Sequence, residues 1–364
     1  MLKNLVIKNY RAFETFKLDH TARVNLIVGT NNSGKSSLLE AIYLVASEDA
    51  SSSLISILHE RGEFALEPMD ARYNIVRQIG NYQIAHIFHG HNLTTDQVIT
   101  VQAGVNKNPS LKIFTRQKEP QQRLPLVENE EIDTGSRSLH LVFEREGRNE
   151  ETLRITVDGL LSDRLSRPNP RRVITGDQSA KFVTTNYLAY DALAVLWDDI
   201  TLTPSEDKVV EALQILEPKV ERISFTSRQT SNSGILLKLK GEKEPIPLGS
   251  MGDGMRRVLA ITASLVSVGK GTLLIDEIDT GLYYGVLTDM WRLILETSVK
   301  QNAQVFATTH SWDCVRAFQQ ALSSTTAPDL GCLIRLEKND GKIEAISYSP
   351  HELDIAVKQG IEVR

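Results

Sequence analysis

Two cysteines in 364 residues, Cys314 and Cys332, are too few for a disulfide framework and have no metal-binding spacing. That usage fits a reducing cytoplasm. Long apolar runs are also missing: nothing approaches the ~18 consecutive residues of a membrane-spanning helix. The opening MLKNLVIKNYRAFETF is broken by charge every few residues, which reads as neither signal peptide nor membrane anchor. There is no excess of positive charge, since 41 Lys and Arg face 46 Asp and Glu for a net charge of -5. This argues against a protein wrapped wholesale in nucleic acid, although a local basic groove stays compatible with it. Internal repeats are absent, and so is any heptad run long enough for an extended coiled coil. What is present is ordinary for a globular protein, 41% hydrophobic and 24% charged, with length for one to three domains.

Residues 2–9 alternate around Leu5 and Ile7 and predict a strand, with a second near Phe16–Leu18. Val24–Val28 is a short apolar run of the kind covered on both faces. A Gly-rich turn follows, then a helix over 35–46 burying Leu38, Leu39, Ile42 and Val45. From 47 the texture changes. SEDASSS (47–53) reads as a loop and 54–60 as helical. Period-2 runs then follow at Tyr82–His89, Gln97–Ala103, Leu111–Thr115, Leu139–Glu144 and Leu153–Val157. This predicts an antiparallel β lobe inserted into the core, with SRPNPRRV (166–173) as its exit loop. Helices are expected at Asn186–Ile200 and Pro204–Leu216, a strand pair at Val220–Thr226 and Gly234–Leu239, and helix–strand alternation over 248–310. A hairpin around Asn339–Lys342 and a short helix close the chain. The expected units are 1–46 and 247–364 as two parts of one core, 47–181 as the inserted lobe, and 182–246 as a helical and strand connector.

Gly29-Thr30-Asn31-Asn32-Ser33-Gly34-Lys35-Ser36 fits the full phosphate-binding pattern G-x-x-x-x-G-K-[ST], between a buried strand and a helix. A chance Gly/Ser/Asn turn would carry the same letters without those flanks. The glycines let backbone N–H groups face the phosphates of ATP, and the helix N-terminus adds partial positive charge. Lys35 reaches the β- and γ-phosphates, Ser36 offers its hydroxyl to Mg²⁺, and Asn31, Asn32, Ser33, Gly34 and Ser37 complete the cradle. Leu273–Ile275 is an apolar strand ending in Asp276 and Glu277. Carboxylates there point into the crevice where α/β sheets bind ligands. Asp276 suits the Mg²⁺ shell, and Glu277 suits the group that polarises the attacking water. A strand-end acidic turn is the plain alternative, and the loop at 29–36 argues against it. Val305–Thr309 is another buried strand, and His310 at its tip is placed to sense the γ-phosphate.

Between these motifs lies Leu248-Gly249-Ser250-Met251-Gly252-Asp253-Gly254-Met255-Arg256-Arg257. With the opening Ile7–Phe13, the segment Leu196–Ile200 and the tail Gly360–Arg364, the sequence resembles the ABC-ATPase branch that holds RecF, SMC and OLD (overcoming lysogenisation defect) proteins. Stand-alone OLD-like AAA-type ATPases are the nearest group within it. The resemblance covers roughly 1–46 and 186–364. It implies an α/β P-loop NTPase fold of ABC-ATPase type carrying the inserted β lobe and helical segment. It also implies that Arg11 approaches the nucleotide phosphates, and that Ser250 and Gly252 cap the γ-phosphate held by an opposite protomer. Met251 replaces the first glycine of the usual signature pair. Tyr283 stands where relatives carry His or Asp. Gln78, Gln83 and Gln102 are the candidates for the family's Q-loop glutamine.

One core with half-sites on two faces implies a homodimer sandwiching two ATP molecules, a switch acting on something else. The leading expectation is the ATPase component of a prokaryotic antiviral-defence or DNA-processing system with a separate effector. A recombination ATPase and a transporter subunit are the alternatives. DNA would meet Arg164, Arg167, Arg171 and Arg172, or Lys107, Lys112, Arg116, Lys118 and Arg123 in the lobe, although such clusters commonly form solvated faces. No TOPRIM-type nuclease centre is expected. The acids after His310 lie on turns and exposed faces without a D-x-D, and Glu128, Glu130, Glu131 and Asp133 sit in a charged, loop-like run.

Overall fold

The protein was analysed as a computed structural model, which describes residues 1–66, 80–94, 96–104, 110–118, 138–156, 159–162, 179–185, 190–226 and 234–364. Its strands, in chain order, are β1 (Leu5–Tyr10), β2 (Phe13–Leu18), β3 (Val24–Gly29), β4 (Phe64–Leu66), β5 (Gly80–Gln83), β6 (Val98–Gln102), β7 (Ser110–Lys118), β8 (Ser138–Arg145), β9 (Glu151–Ile155), β10 (Leu160–Ser162), β11 (Ala180–Val183), β12 (Val220–Thr226), β13 (Gly234–Leu239), β14 (Ile246–Pro247), β15 (Thr272–Ile275), β16 (Gln304–Thr308), β17 (Gly331–Asn339) and β18 (Lys342–Tyr348).

The central sheet runs β11-β15-β16-β3-β17-β18, with every pairing parallel except β17–β18. Strands β3, β15 and β16 are buried at every residue. Helices cover both faces, which is why these strands read as mostly apolar runs rather than alternating ones. One face carries the helix Lys35–Ala46 (α1) in a core with Leu38, Leu39 and Ile42; the other packs Trp291 and Phe318 from the helices Leu287–Gln301 and Trp312–Ser323. A third core joins the helices Tyr190–Ile200, Pro204–Gln214 and Asp253–Ser267 to the small sheet β12-β13-β14. The β17–β18 hairpin turns through Asp340 and Gly341, both at positive φ, the conformation of a two-residue primed turn.

Several expectations change on folding. The segment 47–53 is not all loop, because the helix Ala50–Glu60 (α2) already begins at Ala50. Asp49 caps it by accepting from the Ser52 N–H at 2.9 Å and from both the Ser51 and Ser52 hydroxyls. The run Tyr82–His89 is strand only through Gln83 and continues as 3₁₀ turns at Ile84–Ile87 and His89–His91. The lobe's strands divide between two sheets, and only β4, β5 and β10 form a small one of their own, in the order β10-β5-β4. β6, β7, β8 and β9 extend the N-terminal hairpin in the antiparallel order β2-β1-β6-β7-β8-β9, with Ile7 opposite Val101. The short strand β11, with no strong sequence signal, straddles the expected boundary at 181 and forms the edge of the central sheet. The exit loop 166–173 lies outside the described residues. Among the described residues no helix is long and apolar enough to cross a membrane.

Candidate nucleotide-binding and hydrolysis site

Because β15, β16 and β3 are adjacent and parallel, their carboxyl ends deliver three distant segments to one place: Asp276–Glu277, Thr309–His310 and the loop 29–36. The loop is shaped by close approach. A Cβ on Gly29, at φ 150°, would stand 2.6 Å from the Leu336 carbonyl oxygen. Gly34, at φ 92°, forms the N-terminus of α1 with no side-chain cap, so that turn's N–H groups are available to an anion. The Lys35 ammonium donates to the carbonyls of Gly29 and Thr30, both at 2.9 Å. Burial lowers its pKa, against the opposing pull of Asp276 and Glu277. The Ser33 hydroxyl is buried in the loop without a protein partner.

Opposite the loop, hydrogen bonds tie the acidic strand end to both neighbours. Ser36 donates to one oxygen of Asp276 at 2.9 Å, and Thr308 donates to the other at 2.6 Å. The Glu277 N–H donates to Thr308 Oγ1 at 2.8 Å. Glu277 itself sits at φ 46°, a left-handed conformation uncommon for a non-glycine residue. Its carboxylate lies 3.9 Å from His310 Nε2, and both side chains are partly exposed. Thr309 bonds Asp279, so the turn after the acidic pair is tied to the strand end that carries His310.

These groups line a cavity of about 650 Å³, together with Asn31, Asn32, Ser33, Gly34, Lys35, Ser36, Ser37, Ala12, Arg61 and Lys338. Arg61 and Lys338 were not singled out in the sequence. Arg61 ends α2, and Lys338 lies in the hairpin that packs on the loop. Arg11 is placed differently from the expectation. Its side chain is 6% exposed and is held by Glu40 at 2.8 Å and by Glu63 through two bonds at 2.7 and 3.1 Å. Arg61 Nε grips the other oxygen of Glu40, so the cluster presents Arg61, rather than Arg11, at the cavity. Burial raises the Glu40 pKa in spite of both guanidiniums.

Ser250 and Gly252 do not line this cavity. Both are exposed, and Gly252, at φ 91°, opens the helix Asp253–Ser267 without a side-chain cap. Tyr283 and Tyr284 stand exposed with ring centroids 4.4 Å apart. Gln83 bonds His86, and Gln102 pairs on β6 opposite Val6. Neither lines the cavity, and Gln78 lies outside the described residues. In the lobe, Lys112 pairs with Glu144 and Arg116 with Glu150. Lys107, Arg123, Arg164, Arg167, Arg171 and Arg172, the Lys118 side chain, and Glu128, Glu130, Glu131 and Asp133 lie outside the described set. Among the described residues no group of three or more His, Cys, Asp or Glu could hold a metal.

Comparison with known proteins agrees with this architecture. Residues 1–155 match a family described as "AAA ATPase domain". Residues 116–313, more than half of the chain, match a second described as "AAA domain, putative AbiEii toxin, Type IV TA system". An "ATP/GTP phosphatase" of Helicobacter pylori is 23% identical over 97% of each chain. A RecF replication and repair protein of an Exiguobacterium species is 44% identical over 45 residues, 12% of each chain. A crystal structure of an SMC head bound to the C-terminal winged-helix domain of ScpA superposes with a TM-score of 0.54 at 15% identity, covering 98% of this chain and 99% of the other. The chain thus belongs to the AAA-domain family "AAA domain, putative AbiEii toxin, Type IV TA system", and it is an ATP-hydrolysing P-loop protein with an ABC-type fold.

Proposed function

We propose that this ATPase is a homodimeric switch of OLD-like type, in which each of two nucleotides is held by the loop of one protomer and capped by Ser250 and Gly252 of the other. The observation that carries the reading is the separation of the two halves. The loop, Asp276, Glu277 and His310 share a cavity, whereas the uncapped helix start at Gly252 lies outside it. An anion site on each of two faces is completed by a second copy related by two-fold symmetry.

Within one protomer, the loop N–H groups and Lys35 bind the triphosphate, and Arg61 and Lys338 add positive charge at the cavity wall. Ser36 and Asp276 offer hard oxygen donors already in contact, a set that fits Mg²⁺. When bound there, the ion neutralises charge on the phosphate oxygens. Glu277 orients water for in-line attack on the γ-phosphorus, and His310 faces the same point. Residues 1–46 and 247–364 form the ATPase core in this reading, 47–181 the lobe and 182–246 the connector.

The switch serves a prokaryotic defence or DNA-processing system in the cytoplasm, acting on a separate effector. The family description, which names a toxin–antitoxin system, supports a partnered setting. Mixing Lys35→Ala with Ser250→Arg protomers tests the shared site, since each variant damages a different half. Recovery of about one working site per heterodimer is expected. No recovery at any mixing ratio would overturn it.

A further inference from the structure

Glu277 carries a left-handed backbone conformation, which in a non-glycine residue persists only where its surroundings over-determine it. The groups that hold it come from two directions. Its N–H is bound by Thr308 at the tip of β16. Its carbonyl accepts from the Thr280 N–H at 3.0 Å and from Arg257 Nη2 at 2.9 Å. Arg257 is 1% exposed, among the largest fully buried side chains of the protein. The same Nη2 also reaches the Asp276 carbonyl, and Nη1 donates to the Thr184 carbonyl at 2.6 Å, just beyond β11. One guanidinium therefore clips together the peptides of both acidic residues and the end of the neighbouring strand. Its planar fork of donors suits three carbonyls in a way a lysine ammonium does not.

The position of Arg257 in its own helix gives this grip a second consequence. It lies one turn into Asp253–Ser267, the helix that opens at Gly252 beside Ser250. The first turn of that helix is pressed on the segment after Glu277: a Cβ on Gly254 would stand 2.8 Å from the Gly281 carbonyl oxygen. One helix thus has an exposed N-terminal end and, one turn later, a buried guanidinium on the peptide of Glu277.

We propose that Arg257 is a positioning residue for Glu277, tying the peptides of the acidic pair to the helix Asp253–Ser267 of its own protomer. The inference rests on the role given to Glu277 above. It adds that hydrolysis requires the Glu277 peptide to be held by a buried group that touches neither nucleotide nor metal.

Arg257→Lys and Arg257→Ala are compared with wild type for nucleotide affinity, melting temperature, ATP-dependent dimerisation by light scattering, and turnover in the full-length protein. The Lys variant should bind nucleotide and dimerise within about twofold of wild type, while kcat falls about tenfold to a hundredfold, the scale expected for a misplaced catalytic group. Free guanidinium should restore part of the turnover of the Ala variant without changing its affinity. In a Glu277→Gln background, Arg257→Lys should cause no further loss, because both changes disable one unit. Wild-type kcat in Arg257→Lys, or loss of affinity, dimer and turnover in parallel with melting temperature and without guanidinium rescue, would overturn the proposal. Unchanged turnover in Glu277→Gln alone would instead overturn the role of Glu277.

Discussion

Single residues around the loop divide into those that line the cavity and those that hold the lining groups still, and two arginines illustrate the division. Arg11 is buried against Glu40 and Glu63, so Arg11→Ala removes one of the two guanidiniums on the buried Glu40 and the ion pair of the partly buried Glu63. Breaking a buried pair in this way costs about 3–5 kcal/mol. The expected outcome is a lowered denaturation midpoint, measured in urea, larger than for any single change at the cavity rim. Arg61 faces the cavity from the same cluster with a third of its side chain exposed. Arg61→Ala should leave the midpoint nearer wild type and raise KM for ATP severalfold, measured by steady-state hydrolysis. The reverse pattern would return the phosphate-facing role to Arg11. The sequence singled out Arg11 through the motif around it, whereas Arg61 has no local signal and is distinguished only by the side of Glu40 it occupies.

At the scale of elements, the cap of α2 is a test of local physics. Asp49 is partly buried, and the hydrogen bonds it accepts from Ser51 and Ser52 outweigh burial to hold its pKa below the ordinary aspartate value. A depressed carboxylate contributes stability that is full above its unfolded pKa, about 3.9, and lost as pH falls through the lower folded value. Asp49→Ala should therefore cost about 1 kcal/mol near neutral pH, and its difference from wild type should shrink below about pH 4. Urea titrations at several pH values would show this, and a pH-independent difference would rule out the charged cap. The element also shows why the sequence misleads here. SEDASSS has the composition of a loop, but one Asp followed by serines that bond back to it starts a helix just as well.

At the scale of the whole molecule, one candidate nucleotide site is assembled from segments far apart in the chain, the loop 29–36 and Asp276, Glu277 and His310. If Ser36 and Asp276 hold Mg²⁺ beside the loop, ATP with Mg²⁺ should raise the melting temperature, following the stabilisation of about 2.7 kcal/mol expected at a ligand concentration of 100 Kd. Removing the metal with EDTA should abolish most of that rise in the presence of ATP, and Lys35→Ala should abolish all of it, measured by calorimetry at fixed protein concentration. An equal rise with and without metal would show that the Ser36–Asp276 pair does not act with the nucleotide.

Much of this protein is set by sequence alone, because its decisive features are local. The loop 29–36 carries its conformation in glycines and its chemistry in Lys35 and Ser36. The buried strands before and after it show as mostly apolar runs, and the chain-end hairpin shows in Asn339-Asp340-Gly341-Lys342. Tertiary structure decided what depends on neighbours distant in the chain. It decided that β6 to β9 extend the N-terminal hairpin, because strand pairing is chosen by which backbone edges meet rather than by the strands' own residues. It decided that the unremarkable segment 180–183 joins the central sheet beside β15. It turned Arg11 inward and Arg61 outward, since both contact the same buried carboxylate and the packing of α2 determines which of them faces the cavity. And it placed Arg257 under Glu277: an arginine inside an amphipathic helix shows nothing of its partners until the helix is docked against the strand whose carbonyls it holds.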